Sequence, residues 1–398
     1  MIKITEKSKC TGCHACTNIC SQKCIVMESD SEGFSYPKID LKSCIDCGLC
    51  EEVCPLLHDQ AVENEPQAYA CYNKDEKIRL ESSSGGIFTL FAEQIIDNGG
   101  AVFGVGLEKD LTVAHSYVET KEQLRNFRGS KYVQSKIGEN YKKAQIFLKQ
   151  DRQVLFTGTP CQIAGLKAYL QKDYENLFCI DIICHGVPSP MVWQKYISFH
   201  EKRAGSPAKS ANFRHKNKGW KKFSMSLLFN NSTEHIETLD KDLYLQAFLK
   251  NACLRPSCHN CNFKSLNRQS DITLADFWGV QNVLPKMDDD KGTSLILVNS
   301  SKGQAMFNKV KSQISFELVD INNAVVYNPA VIKPAEQSSN REKFFNEVDK
   351  LDFDKLVKKY CSDSILFKTK GKARSVVTIV LKRVGLINLV KKVLKRNK

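Results

Sequence analysis

The sequence predicts an α/β protein, α+β overall, in which a small cysteine-rich domain precedes an α/β core and a basic helical tail follows it. Cysteines are dense up to residue 60, strand-like and helix-like patterns alternate from about residue 67 to 340, and residues 365–398 carry no acidic side chain. The expected segments are a first domain at 1–60, two parts of one core module at 67–150 and 151–340, and a helical linker with the basic tail at 341–398.

Cysteine content indicates the compartment and the kind of chemistry. The chain has 17 cysteines among 398 residues, and its N-terminal end reaches the first of them without a charged and apolar leader. We therefore expect a reducing cytoplasm, where cysteines serve metal or redox chemistry rather than disulfides. The longest uncharged apolar run near either end, 375–381, is too short to span a membrane.

The first domain contains two cysteine quartets with the spacing C-x2-C-x2-C-x3-C, which is typical of a ferredoxin with two 4Fe-4S clusters. In such a domain three cysteines surround one cluster, and the fourth follows on a helical turn and ligates the other cluster. Two zinc knuckles are the alternative, but zinc sites use more widely separated CxxC pairs. The expected clusters are one on Cys10, Cys13, Cys16 and Cys54 and one on Cys20, Cys44, Cys47 and Cys50.

Two positions depart from a regular pair of quartets. Ser21 follows the fourth cysteine of the first quartet, where proline is usual, and it should loosen the turn without removing a ligand. Cys24 fits neither quartet and is expected to be a small buried hydrophobic residue.

The core is predicted from apolar runs of strand length that alternate with helical patterns. Buried strands are expected at 101–105, 154–156 and 178–183. Helices are expected at 87–97 and 163–170, each after a turn that contains glycine. A polar helical stretch is expected at 341–360.

Six ordered motifs in the core, together with the dicluster domain, resemble the beta subunit family of coenzyme F420 hydrogenase/dehydrogenase over about residues 1–335. They are SSSGG at 82–86, GSKYVQS at 129–135, TGTPCQ at 157–162, CHGVPSP at 184–190, LRPSCHNC at 254–261 and SDITLADFWG at 270–279. The resemblance implies a flavin-binding α/β core connected to iron–sulfur clusters. It also implies electron transfer between a carrier and a two-electron acceptor at FAD.

The segment 82–86 precedes an apolar helix, so its N–H groups and hydroxyls could face the pyrophosphate of FAD, although a simple serine N-cap would look the same. Residues 157–162 lie between a strand and a helix, which is a common ligand position in α/β sheets. Lys131 could contact flavin phosphate or ring or be solvated, and Arg214, Lys216 and Trp220 could contact flavin or an anionic substrate. The implied FAD contacts are Ser82, Ser83, Ser84, Gly85, Gly86, Ser130, Lys131, Tyr132, Gln134, Ser135, Thr157, Gly158, Thr159, Gln162, Arg214 and Lys216.

Four further cysteines suggest a third 4Fe-4S cluster between the ferredoxin domain and the flavin: Cys161, Cys184, Cys258 and Cys261. The alternatives are a zinc site, or free cysteines of which Cys161 flanks the isoalloxazine. An aspartate at 181, 271 or 276 could replace one cysteine ligand. His185 follows one of these cysteines and is a candidate proton donor near the flavin, while Cys71, Cys179, Cys253 and Cys361 are expected to be structural.

The tail accounts for most of the net charge of +14. Residues 365–398 contain eleven Lys and Arg, which leaves about +3 for residues 1–364. As a helix, 376–398 would present a wide apolar arc opposite its basic residues, which suits peripheral contact with anionic lipid at the inner face of the membrane. A helix packed on the protein body or on a partner is the alternative.

These patterns favour an FAD-dependent iron–sulfur oxidoreductase that exchanges electrons with a redox donor, such as a ferredoxin or a partner oxidoreductase, and with a small-molecule acceptor. The alternative is a non-catalytic electron-transfer subunit that serves a partner enzyme. Coenzyme F420 does not follow as the substrate, and a sugar, a sulfite-type or a pterin-like acceptor stays open. Nucleic-acid binding is disfavoured because the body is nearly neutral and has no recognised binding motif.

Overall fold

The structure is a computed structural model that describes residues 1–58 and 62–362, so the predicted basic tail lies outside the described residues. The strands are β1 Ile25–Ser29, β2 Ser35–Ile39, β3 Gln67–Asn73, β4 Ala101–Leu107, β5 Val113–Val118, β6 Val154–Gly158, β7 Leu177–Ile182, β8 Ala208–His215, β9 Ser224–Phe229, β10 Glu234–Thr238, β11 Ile272–Asp276, β12 Ser294–Val298 and β13 Ile314–Val319. The helices are α1 Ala15–Ile19, α2 Leu49–Glu52, α3 Glu76–Glu81, α4 Ile87–Asp97, α5 Asn140–Lys149, α6 Pro160–Leu170, α7 Pro190–Ala204, α8 Leu243–Leu249, α9 Val280–Val283, α10 Ser301–Val310, α11 Ile321–Val325, α12 Arg341–Glu347 and α13 Phe353–Cys361.

A mixed eight-stranded sheet forms the centre of the core, with the strand order β13-β3-β12-β11-β7-β6-β4-β5. Its four central strands β11, β7, β6 and β4 run parallel, whereas β5 on one side and β12, β3 and β13 on the other pair antiparallel. The α/β class is therefore confirmed, and the three strands expected at 101–105, 154–156 and 178–183 are β4, β6 and β7.

Alternating residues of the central strands bury two faces of this sheet. In β6, Leu155 packs on the face covered by α4 and α10. Its neighbours Val154 and Phe156 pack on the opposite face against α5 and α6. Both faces are apolar, which explains why these strands are continuous hydrophobic runs in the sequence.

A second layer lies beside the sheet and supports one end of it. The three-stranded antiparallel sheet β10-β9-β8 packs with α7, α8, α12 and α13 around Trp193, Tyr196 and Tyr244. Residues 341–361 form α12 and α13, and they bury Phe344 and Leu356 in this same hydrophobic cluster.

The cysteine-rich region contacts the core directly. It consists of the β1–β2 hairpin and two short helices, and Ala15 of α1 joins the hydrophobic cluster under α5 and α6. The Asn18 amide donates to the carbonyl of Gly138 at 2.8 Å. A Cβ at Gly165 of α6 would lie 2.9 Å from Cβ of Cys13, so glycine allows this close approach. No described helix is long and apolar enough to cross a membrane.

Candidate functional site

The first cysteine cavity lies in the N-terminal region and is lined by Cys10, Cys13, Cys16 and Cys54. These are the four residues that the spacing assigned to one cluster. Burial raises the pKa of the Cys13 thiol to about 12 and the pKa of Cys16 well above its usual value. Ligation must therefore displace protons from these thiols, and clustered sulfur ligands with little competing oxygen suit an iron–sulfur cluster.

The second quartet lies on the outer side of this region. Cys50 is buried and its Sγ accepts a hydrogen bond from the N–H of Ile2 at 3.2 Å, whereas Cys47 is exposed. Cys24 is buried, as the sequence suggested, but its Sγ lies 3.4 Å from Sγ of Cys20. It is therefore a neighbour of the second quartet and not an isolated core residue.

The second cysteine cavity lies in the core, at the carboxyl ends of two parallel strands. Cys161 begins α6 after β6, Cys184 follows β7, and Cys258 and Cys261 come from the short helical turn Pro256–Asn260 and its end. All four line one cavity of about 470 Å³, a volume that includes its mouth toward solvent. Burial raises the pKa of Cys258 to about 12 and also raises the pKa of Cys161 and of Cys184.

The three aspartates considered as replacement ligands are absent from the described lining of this cavity. Asp181 faces Arg268 at 3.5 Å, and Asp271 accepts from the N–H of Cys179 at 2.8 Å. Asp276 is held by Arg214 at 2.9 Å. The metal-binding side chains in its lining are therefore four cysteines and His185, and the four sulfurs fit a 4Fe-4S cluster or tetrahedral zinc.

Arg255 connects the two cysteine cavities. Its guanidinium is fully buried and donates to the carbonyl of Cys10 at 2.8 Å, to Oε1 of Gln134 at 2.9 Å and to the carbonyl of Ser35 at 3.1 Å. The residue also lines the second cavity, and Thr11 lines both cavities. One permanent positive charge therefore lies between two sites that would carry negative clusters.

The segments expected to bind flavin meet beside this region. The N–H of Ser130 donates to Oγ of Ser83 at 2.6 Å, which joins the segment 82–86 to the segment 129–135. The Lys131 ammonium donates to the carbonyls of Asn126 and Arg128 at 3.1 and 2.9 Å. The Lys131 side chain is partly exposed, and desolvation by the surrounding protein lowers its pKa to about 7.

Arg214 and Lys216 extend from β8 toward the same segment. Arg214 forms two bonds to Asp276 at 2.9 and 3.1 Å, and it donates to the hydroxyl of Tyr132 at 3.0 Å and to the carbonyl of Ser83 at 3.3 Å. Trp220 donates to the same carboxylate at 2.8 Å. Arg214 thus orders the residues around the expected flavin position.

The Lys216 ammonium is occupied by backbone acceptors. It donates to the carbonyls of Arg79, Ser84 and Lys291 at 2.8, 2.9 and 2.7 Å. Burial, followed by the charge of Arg214, lowers its pKa to about 7. Lys216 therefore anchors the segment 82–86 in this structure, and its flavin contact stays a prediction.

Four more of the expected contacts, Ser135, Thr157, Thr159 and Gln162, belong to a network around His115, which the sequence analysis did not single out. His115 bonds through Nδ1 to Oγ of Ser135 at 3.1 Å and through Nε2 to the carbonyl of Thr157 at 3.1 Å. Gln162 donates to Ser135 Oγ at 3.0 Å and accepts from the N–H of Thr159 at 2.9 Å. Burial lowers the pKa of His115 to about 4, so the network positions the β6–α6 turn with a neutral imidazole.

His185 lines the second cavity, next to Cys184. Its Nε2 lies 2.6 Å from Oδ1 of Asn251, and burial lowers its pKa. Lys264 also lines this cavity and donates to the carbonyl of Cys184. The segment LRPSCHNC contained Arg255 beside the cysteines, so this motif was the available signal for it; no comparable signal marked Lys264 or His115.

Two protein-family models match the chain. Residues 151–324 match the C terminus of the coenzyme F420 hydrogenase/dehydrogenase beta subunit, and residues 9–56 match a 4Fe-4S dicluster domain. The first match contains the four cysteines of the second cavity, and the second match contains all eight quartet cysteines.

Individual relatives match parts of the chain. The coenzyme F420-dependent sulfite reductase of Methanocaldococcus jannaschii is 26% identical over 204 residues, which cover 49% of this chain and 30% of that protein. The NADH-quinone oxidoreductase subunit I 2 of Geobacter metallireducens is 42% identical over 56 residues, covering 13% of this chain and 43% of the relative. The chain therefore spans less than half the length of these two relatives.

Two further comparisons concern the N-terminal region and the whole fold. The 7Fe ferredoxin of Hydrogenibacillus schlegelii is 37% identical over 75 residues, which cover 18% of this chain and 90% of the ferredoxin. A chain of the F420-reducing [NiFe] hydrogenase complex from Methanosarcina barkeri aligns with a TM-score of 0.47 and 15% identity, covering 73% of this chain and 94% of that one. From the two family matches, the chain resembles the coenzyme F420 hydrogenase/dehydrogenase beta subunit family over residues 151–324 and carries a 4Fe-4S dicluster domain at residues 9–56.

Proposed function

We propose that this protein is an iron–sulfur flavoprotein oxidoreductase that passes electrons between the two clusters of its dicluster domain and FAD, through a third 4Fe-4S cluster. The observation that carries the proposal is the pair of four-cysteine cavities that share Thr11 in their walls and have Arg255 between them. Electron transfer requires neighbouring redox centres, and two adjacent cavities with four cysteines each supply that arrangement. The direction of electron flow is left open.

The third cluster is supported by the donors around the second cavity. Cys161, Cys184, Cys258 and Cys261 converge there, while the aspartates at 181, 271 and 276 have partners elsewhere. The N–H of Val187 points to Sγ of Cys258 at 3.4 Å, and such hydrogen bonds to ligand sulfur raise the reduction potential of a cluster.

FAD is supported by the polar groups on the segments 82–86 and 129–135. Ser83, Tyr132 and Arg214 are joined by hydrogen bonds, and Lys131 adds a partly buried amine beside them. These residues would hold the flavin and its phosphates, and the flavin would convert between one-electron and two-electron chemistry. His185, beside Cys184 at the second cavity, is the candidate proton donor.

A non-catalytic electron-transfer subunit is the second candidate, and the similarity to a subunit of NADH-quinone oxidoreductase favours it for the N-terminal region. In that case the protein would hold the clusters and deliver electrons to a partner oxidoreductase. Coenzyme F420 and sulfite are candidate reactants because one relative is named for both. A soluble two-electron acceptor that supports turnover would favour the first proposal.

The test is anaerobic purification of Cys258→Ala beside its matched control Cys253→Ala. Cys253 is buried and lies five residues from the partly buried Cys258, but it is outside the described lining of the second cavity. The wild type and the control should hold about twelve iron atoms with equal sulfide and one FAD, and Cys258→Ala should hold about eight, since a cubane contains four irons. Flavin reduction by the N-terminal clusters should be slow in Cys258→Ala only.

The same measurements can contradict each part separately. Equal iron content in Cys258→Ala and Cys253→Ala would contradict the proposal of a third cluster. Full iron without FAD uptake would leave the electron-transfer subunit as the better proposal. Zinc in place of iron in the purified wild type would contradict both.

A further inference from the structure

A group of metal-binding side chains lies outside the two cysteine cavities and outside every motif of the sequence analysis. His200 of α7, His235 of β10 and Asp242 at the start of α8 place one candidate ligand atom each within 4.8 Å of the others. We call these three residues the His-His-Asp group. It joins three elements of the second layer that the sequence separates by up to 42 positions.

The spacing within this group suits a divalent ion. The imidazole rings of His200 and His235 stack with their centroids 3.9 Å apart, and His235 Nε2 lies 3.5 Å from Asp242 Oδ2. Two ligands bound to tetrahedral zinc at about 2.0 to 2.1 Å lie about 3.3 Å from each other. The distance between His235 and Asp242 is therefore close to the distance that zinc would impose.

His200 has ligand atoms without a competing role. It is 7% exposed, and neither ring nitrogen makes a hydrogen bond to another residue in the described part of the chain. Its ring nitrogens are therefore available as ligand atoms.

The carboxylate is held from two sides, as metal ligands commonly are. The Tyr196 hydroxyl donates to Oδ2 of Asp242 at 2.6 Å, and the N–H of Leu245 donates to Oδ1 at 2.9 Å. Tyr196 lies one helical turn before His200 on α7, so a single helix supplies both a ligand and the group that orients another ligand.

From this geometry we infer that His200, His235 and Asp242 bind one divalent ion of the zinc type. Two imidazole nitrogens and one carboxylate oxygen match the ligand preferences of zinc, and water would complete the coordination on the side of His235, whose side chain is 27% exposed. The ion joins α7 to the edge strand β10 and to α8. It thereby stiffens the small sheet whose strand β8 carries Arg214, and it takes no part in electron transfer.

The test uses cluster-loaded protein prepared anaerobically, treated briefly with a chelator and then dialysed against zinc sulfate. Zinc and iron are measured together, and the wild type should take up one zinc per chain without loss of iron. X-ray absorption at the zinc edge should show nitrogen and oxygen ligands at about 2.0 to 2.1 Å and no sulfur at about 2.3 Å. A sulfur shell would mean that zinc had entered a cysteine site, and it would overturn the inference.

Variants assign the zinc to these residues. His235→Ala and His200→Ala should each weaken zinc binding at least tenfold with iron unchanged, whereas His58→Ala, at an exposed histidine of the N-terminal region, should not. Tyr196→Phe should weaken binding roughly tenfold because it frees the carboxylate. His235 lies on an edge strand and is partly exposed, so this variant should fold, which circular dichroism and iron content check. Wild-type zinc binding in His235→Ala, or no zinc in the wild type, would overturn the inference.

Discussion

The two cysteine cavities offer the same ligand type but are built in different ways. The first takes Cys10, Cys13 and Cys16 from one loop and α1, and Cys54 from the end of the neighbouring quartet. The second takes its four cysteines from the ends of β6 and β7 and from a helical turn about 75 residues further along. The cysteines of the first cavity thus come from one short region of the chain, whereas those of the second are brought together by the sheet.

This difference has a consequence for stability. The first region contains only a two-stranded hairpin and short helices, and such elements are marginal in water without cross-links. We expect its clusters to stabilise its fold. The second cavity lies at the carboxyl edge of a parallel sheet whose strands are already buried on both faces, so its shape depends on the core and not on a cluster.

The largest expected effect tests how the first region shares its ligands. Cys10→Ala and Cys54→Ala should each lose the same cluster, about four irons, although 44 positions separate them. Cys44→Ala should lose the other cluster. Electron paramagnetic resonance of the reduced variants distinguishes the two clusters.

Cys24→Ala is the control for these variants, because Cys24 is buried beside the second quartet without belonging to it. It should keep both clusters. If Cys54→Ala resembled Cys44→Ala instead of Cys10→Ala, the crossed ligation would be wrong and each quartet would hold its own cluster.

An intermediate effect is expected where the two cavities meet. Arg255→Met leaves the acceptors on Cys10, Ser35 and Gln134 without their donor and should lower the free energy of unfolding by roughly 3 kcal/mol. It also removes a positive charge, so the reduction potentials of the clusters on both sides should fall. Anaerobic denaturation and a spectroscopic redox titration measure the two effects.

Two further variants separate charge from hydrogen bonding at this position. Arg255→Lys keeps the positive charge but loses the planar set of guanidinium donors. Compared with Arg255→Met, it should therefore restore the reduction potentials of the clusters more fully than the free energy of unfolding. Arg125→Met removes an exposed arginine and should change neither quantity. Equal behaviour of Arg255→Met and Arg125→Met would mean that Arg255 does not connect the two cavities.

The smallest expected effect concerns the β6–α6 turn that carries Cys161. His115 has a pKa of about 4 in the folded protein against about 6.5 when unfolded, so the unfolded state binds more protons in this range. The contribution of the neutral His115 to the free energy of unfolding is fully present above pH 6.5 and is lost as the pH falls toward 4. By pH 5 this loss should reach about 2 kcal/mol.

His115→Gln removes this proton uptake and can keep a hydrogen bond to Ser135, so its unfolding free energy should fall less between pH 7 and pH 5 than that of the wild type. Chemical denaturation at pH 7, 6 and 5 measures the difference. His14, in the first region, also has its pKa lowered to about 4 by burial, so His14→Gln is the matched variant there. An unchanged pH slope in His115→Gln would show that the imidazole is not buried in its neutral form.

Several of the residues expected to contact FAD have hydrogen-bond partners that the sequence did not indicate, and their contact with FAD stays a prediction. Ser135, Thr157 and Gln162 were expected around FAD, and in the structure they bond to one another or to His115. The sequence placed Thr157 and Gln162 correctly at the end of a strand and the start of a helix, because those elements follow from apolar periodicity. It could not indicate which way each side chain points, since that depends on neighbours from distant segments.

The sequence by itself determined the dicluster domain, because its ligands follow one another at fixed short spacing, and it determined the α/β class, because buried strands and helices have distinct periods. The tertiary structure alone decided what distant residues do together. Arg255 reaches the carbonyl of Cys10 across 245 positions, and His200, His235 and Asp242 converge from a helix, an edge strand and a helix start. These contacts arise from how whole elements pack against each other, and no local spacing encodes them.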